Sequence, residues 1–224
     1  MIGGVLESSS TVPNSGAEEL PRANEAELVI RQSVILAAAK LLAESPFAAV
    51  SLDQVSRSSH VALGTIREHF PSMHDLACSI LDAEGDAMRG AQHRASNEVM
   101  NPLDRLRSAF RIVGENMSTN VVVRAGMRLA SESHQYFPER NIDPYRTWQK
   151  YISSELSDAH SRGMLVDGVD IQSVTWMLVA AGMGTKELVA FRKVWHEVSP
   201  RLEATLGTVL DIISREPDDT LLRG

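Results

Sequence analysis

The chain has 224 residues, 43% hydrophobic and 23% charged, with a formal net charge of −7 at pH 7. These shares are those of an ordinary globular protein, and the length suffices for one helical domain with a smaller one appended. No run nears the roughly 18 consecutive apolar residues of a membrane span, residues 1–30 lack a basic-then-apolar leader pattern, and the single Cys78 excludes an internal disulfide, so a cytoplasmic protein is expected.

Residues 1–24 are turn-formers and small polar residues without periodicity, which predicts a disordered tail. From Glu25 to about Ala43, Leu28, Ile35, Leu36, Ala39 and Leu42 recur at helical spacing, and Ser45-Pro46 ends that helix. Ser51 with Gln54 forms a capping box for a short helix to about Ser58. A turn at Ser59–Val61 leads into a second short helix over 62–69, and Ser72 with Asp75 caps the next, to about Asn97. This layout is a helix-turn-helix, whose second short helix would enter a DNA major groove.

Asn101-Pro102, Asp143-Pro144 and Ser199-Pro200 share one pattern, a capping side chain followed by proline, and predict helix starts near 102, 144 and 200. Gly163 and Gly168 bracket a turn before a helix from about Asp170 to Phe191. Residues 174–190 are apolar almost all round, and Leu202, Leu206, Val209, Leu210 and Ile213 form a stripe on the last helix. Such a pair either fills the monomer core or builds a four-helix dimer interface, and a homodimer is the expectation. No strand alternation, internal repeat or Gly-rich phosphate loop is present. The fold class is all-α.

Acidity is uneven: residues 1–90 hold six Lys and Arg against twelve Asp and Glu, so −6 of the −7 lies in the half that would face DNA. Lys and Arg supply most non-specific DNA affinity, so this balance opposes tight binding. His74, Cys78 and Asp82, spaced i, i+4, i+8, lack a further ligand pair at metal spacing, so neither metal site nor thiol nucleophile is assigned. Arg105, Arg107 and Arg111 are flanked by Asp104 and Glu115 and read as a solvated face. No positioned set of acid, base and nucleophile suggests an enzyme, and no cofactor is implied.

The motifs ILxAA, LL, SLDQV, GTIxxHF and DL between Ile35 and Leu76 resemble the N-terminal domain of TetR-family transcriptional repressors. VVVRAGMRLASES (121–133), DPYRTWQ (143–149) and the Gly184-Thr185 pair are similar to the γ-butyrolactone receptor branch of that family. The resemblance implies a helix-turn-helix DNA-binding domain over 25–71, a ligand-binding and dimerisation domain over 72–216 and a tail over 217–224. It also implies a repressor that binds a palindromic operator as a dimer, is released by a small lactone, butenolide or furan signal, and controls secondary metabolism such as antibiotic biosynthesis.

On the DNA side it points to Ser51, Leu63, Gly64, Thr65, Arg67, His69 and Met73. Gly64, Thr65 and His69 keep the family pattern. Arg67 replaces a tyrosine, Leu63 a lysine common in the branch, Glu68 an aromatic, and Met73 a lysine at the start of the fourth helix. Arg57, Arg22 and Arg31 are cations that could compensate. On the ligand side it points to Glu84, Trp148 and Thr185, and by residue type Met127 and Met177, with Met183, are candidates for an adaptable apolar wall. The departures at 63, 68 and 73 leave a second reading open: a receptor homologue with weak or lost DNA binding that acts by binding ligand or by heterodimerising.

Overall fold

Asn101 and Asp170 place their side-chain oxygens on the first free amides of two long helices, and local signals of this kind set most of the helix starts. The computed structural model describes residues 19–215 and is helical throughout. The expected tails lie outside the described residues, except that residues 19–24 are helical. Helix α1 (Glu19–Glu44) precedes α2 (Leu52–Ser59) and α3 (Leu63–His69), then α4 (Met73–Glu98), α5 (Pro102–Thr119) and α6 (Val121–Ser131). A single turn, α7 (Ser133–Tyr136), leads through a 3-10 turn at Pro138–Arg140 to α8 (Arg146–Ser161), α9 (Ile171–Arg192) and α10 (Val198–Ile213).

Both expected capping boxes form. The Ser51 amide donates to Gln54 Oε1 at 2.8 Å and the Gln54 amide to Ser51 Oγ at 3.4 Å. Ser72 and Asp75 repeat the exchange at 3.0 and 3.2 Å. His60, in the left-handed region at φ 58°, ends α2 and turns the chain into α3.

Two expected starts shift. Asp143 Oδ1 accepts from the amides of Tyr145 and Arg146, so α8 begins at Arg146, two residues past the proline. The last helix begins at Val198, which is fully buried and anchors the first turn, so Pro200 falls inside that turn, where its missing amide costs nothing.

The expected apolar face of α1 is partly rotated. Ala39 and Leu42 are buried as expected, but Leu28 and Leu36 are exposed, and Val34, Ala37 and Ala38 are buried in their place. The alanines let α6 lie close against α1. Arg105 is also not on a solvated face: its Nε donates to Glu155 Oε2 at 2.8 Å and its Nη2 to Asp158 Oδ2 at 2.5 Å, bracing α5 against α8. The stripe of α10 is spent inside the monomer, for Leu202, Leu206, Val209, Leu210 and Ile213 are all buried.

The apolar interior has two parts. One joins α1, α2, α3 and the first half of α4 to α6 residues Ala125, Leu129 and Ala130 and to Phe137. The other joins α5, α8, α9 and α10 to Met88 of α4 and Val123 of α6. The expected division at 71/72 is therefore a change of helix and not a break in packing. Helices α4 and α6 serve both parts. They meet where a Cβ on Gly126 would lie 2.3 Å from Glu84 Cβ and 3.1 Å from the Ile80 carbonyl oxygen.

Backbone stands on one side of that contact, so Gly126→Ala must push α4 and α6 apart. A loss of about 1–3 kcal/mol, as for other overpacked cores, is expected in urea unfolding monitored by circular dichroism. Unchanged stability would show that the two helices can separate freely.

Candidate functional site: a recognition helix and an apolar cavity

Helix α3 projects beyond the N-terminal core because Ile66 and Phe70 are buried and hold it from behind. Gly64, Arg67 and Glu68 are exposed, while Leu63 and Thr65 are half-buried. A Cβ at Gly64 would meet nothing within 4 Å, so the protein's own packing does not demand glycine there. The space belongs to whatever α3 approaches.

Four expected contributors sit differently. The hydroxyl of Ser51 caps α2. His69 points back toward α1, its side chain 12% exposed and its Nδ1 3.9 Å from Glu27. Met73 packs on the N-terminal core. Arg31 is engaged within the fold, its guanidinium 4.4 Å from the centre of the Phe70 ring and donating to Ser79 Oγ at 3.2 Å. Arg67 and Arg57 remain as exposed cations on the recognition unit, with Glu68 beside Arg67.

In the C-terminal half, six helices line a cavity of about 90 Å³. Phe110, Val113 and Met117 of α5, Trp148 and Ile152 of α8, and Leu178 and Val179 of α9 form its apolar walls. Trp148 is held edge-on between Phe110 and Tyr151, with ring centroids 6.2 and 5.9 Å away. Glu84 of α4 and Ser131 of α6 bring oxygen atoms to this otherwise apolar space.

Of the expected ligand residues, Glu84, Met127 and Trp148 meet at the cavity, as does Met183. Met177 and Thr185 do not line it. Met177 precedes Leu178 by about 100° of helix turn, which carries it out of the cavity wall, and it is 46% exposed. Thr185 lies past the end of the cavity, where the next residue, Lys186, turns inward.

Lys186 is the residue that sequence reasoning missed. It is 6% exposed, its Nζ donates to Ser131 Oγ at 3.5 Å and pairs with Glu187 at 2.8 Å. A lysine amid the apolar run of α9 was the available signal, since a cation there must find a partner.

Burial raises the Glu84 carboxyl from 4.5 to about 7, against the opposing pull of Arg89 and Lys186. Near neutral pH the group is therefore divided between a carboxylate and an acid that can donate a hydrogen bond.

The sequence profile of the bacterial regulatory proteins of the tetR family matches residues 34–79. Over those residues the chain is similar to the N-terminal domain of tetR-family regulators. No curated protein matches the chain. Among solved structures, the TetR-family protein CprB from S. coelicolor A3(2) is 23% identical, covers 88% of this chain and 94% of its own, and superposes with a TM-score of 0.70. A γ-butyrolactone receptor described as ArpA-like is 22% identical, covers 80% of this chain and 98% of its own, at 0.65. SmeT, repressor of the Stenotrophomonas maltophilia multidrug efflux pump SmeDEF, is 16% identical, covers 83% of this chain and 91% of its own, also at 0.65. These likenesses establish a TetR-like fold over both halves.

Because the folded state holds the Glu84 proton more tightly than the unfolded chain, stability falls as pH rises from about 4.5 through 7. Glu84→Gln removes this loss. The variant's stability relative to the parent should rise by about 3 kcal/mol between pH 4.5 and pH 8 in paired urea titrations. A difference that does not change with pH would mean that Glu84 titrates normally.

Proposed function

We propose that this protein is a dimeric, ligand-responsive transcriptional repressor whose operator binding is relieved by a small signal of lactone, butenolide or furan type, and that it acts in the control of secondary metabolism. The observation that carries this reading is the position of the cavity against α4 and α6. Helix α4 starts immediately after the recognition unit, at the Ser72 cap, and lends Glu84 and Met88 to the cavity wall. Helix α6 lends Met127, Ala130 and Ser131 to the same wall. The next residue, Glu132, accepts from the Phe47 amide at 2.9 Å in the segment leading to α2.

At about 90 Å³ the cavity is smaller than the several hundred Å³ usual for small-molecule sites. An occupant must displace a wall, and two of the walls lead to the DNA-binding domain. A signal that binds the displaced arrangement better than the resting one then lowers DNA affinity by that difference. The apolar walls suit an alkyl chain, and Glu84 with Ser131 suits a compact oxygenated head. The γ-butyrolactone receptors among the structural neighbours support this ligand class.

Dimerisation is supported by a face of α9 that the monomer leaves uncovered. Trp176, Ala180, Gly184 and Leu188 recur every fourth residue and are exposed, with Phe191 beyond them at 88% exposure. The small residues mid-stripe let a partner helix approach closely, and Ile212 of α10 is likewise exposed. The interface thus falls on the side of the helix pair opposite the buried α10 stripe.

A second reading, a receptor with weak DNA affinity, draws on specific features of the recognition unit. Glu68 is exposed there, Met73 packs inward, and Arg31 is held within the fold.

A selection of DNA sequences on the purified full-length protein at low salt tests both readings. A repressor should enrich a pseudo-palindrome that is released on adding a γ-butyrolactone, butenolide or furan. Arg67→Ala should weaken binding at least about tenfold and lower the salt slope by about one for each phosphate that the guanidinium neutralises. Enrichment of no sequence, with nanomolar binding appearing in Leu63→Lys, would establish the second reading instead.

A further inference from the structure

Beside the aromatic cluster of Phe47, Tyr136 and Phe137, three side chains with metal-binding chemistry converge. His74 and Cys78 lie one turn apart on α4, and Glu139 approaches from the 3-10 turn at Pro138–Arg140. A ligand atom from each falls within 4.8 Å of the other two. His74 Nδ1 is 3.7 Å from Cys78 Sγ, close to the roughly 3.6 Å between nitrogen and sulfur in a tetrahedral zinc site. His74 Nε2 lies 3.0 Å from Glu139 Oε1, so the ring faces Cys78 and Glu139 with different nitrogens, and a cation bound through Nδ1 draws the exposed Glu139 carboxylate round to that side. Along α4 alone the third donor would be Asp82, but Arg140 takes Asp82 as its partner. The third donor instead comes from a distant part of the chain, where no spacing rule would look.

The surroundings hold the donors in place. The His74 ring tilts over Phe137, centroid to centroid 5.0 Å, and Phe137 is fully buried. The Arg140–Asp82 pair fastens the turn to α4, so Glu139 stays near without needing a metal to hold it. Asp82 also balances the Arg140 charge, which otherwise opposes a cation next to Cys78. His74 and Cys78 are half-buried and Glu139 is exposed, which leaves a fourth position facing solvent.

We propose that His74, Cys78 and Glu139 form a binding site for a borderline divalent cation of the zinc type, with water as the fourth ligand. Thiolate, imidazole and carboxylate together suit zinc and disfavour magnesium or calcium, which take oxygen donors. Thiolate and carboxylate neutralise the charge of the cation, and the Cys78 proton leaves to solvent when it binds. The cation ties the first turns of α4 to the turn after α7, separately from the apolar cavity. It therefore holds the helix that follows the recognition unit in one position, and by linkage operator DNA and metal alter each other's affinity.

The test uses full-length, metal-free, reduced protein titrated with Co2+ under absorption spectroscopy, followed by displacement with Zn2+. One equivalent per chain should bind with a thiolate-to-cobalt charge-transfer band, and Zn2+ should abolish that band. Cys78→Ser should lose the band. Glu139→Gln, a change at an exposed residue that leaves the fold intact by circular dichroism, should bind at least about tenfold more weakly. Absence of the band, or a band and affinity unchanged in Glu139→Gln, would overturn the three-donor site. The first outcome would leave only a His–Glu ion pair beside a free thiol.

Discussion

The close contact between α4 and α6 governs this molecule. At Gly126 the two helices are too near for a methyl group, with Glu84 on the other side of the gap. Both helices are shared by the two parts of the apolar interior, and both wall the cavity. A body filling the cavity presses on these two helices among its walls, and a displacement of either one reaches the N-terminal part of the interior.

Charge modulates this arrangement at both ends. Within the cavity, burial keeps Glu84 near its midpoint at neutral pH, and Lys186 meets the Ser131 hydroxyl at the same end. On the recognition unit the same chain is short of cations, because Arg31 is engaged with Phe70 and Ser79 while Glu68 is presented outward. Phosphate contacts scale with the cations available, so DNA binding of the kind proposed would rest on a small electrostatic contribution.

Much of the architecture was legible from local chemistry. The capping boxes at Ser51 and Ser72, the Asn101 and Asp170 caps and the glycine turn at 163–168 each act within a few residues, and each appears where the sequence placed it. What escaped was set by distant partners. The burial of Val34 and Ala38 in place of Leu28 and Leu36 depends on α6 lying against α1, although the two are far apart in the chain. The inward turn of His69 and Met73 and the brace at Arg105 likewise depend on elements that periodicity cannot see. The site followed the same rule. Trp148 and Glu84, from resemblance to relatives, and Met127, from its residue type, meet at the cavity, whereas Met177 and Thr185 lie on α9 away from its lining. Lys186 and Glu139 carried no motif, and only folding gives them neighbours.

The coupling between cavity and recognition helix is open to direct measurement. Spin labels at exposed position 57, on a Cys78→Ser background, report the separation of the two recognition units in the dimer by pulsed electron resonance. Saturation with a γ-butyrolactone, confirmed by the change in tryptophan fluorescence, should shift the distance distribution away from that of the DNA-bound dimer. Superimposable distributions with and without bound ligand would contradict the coupling.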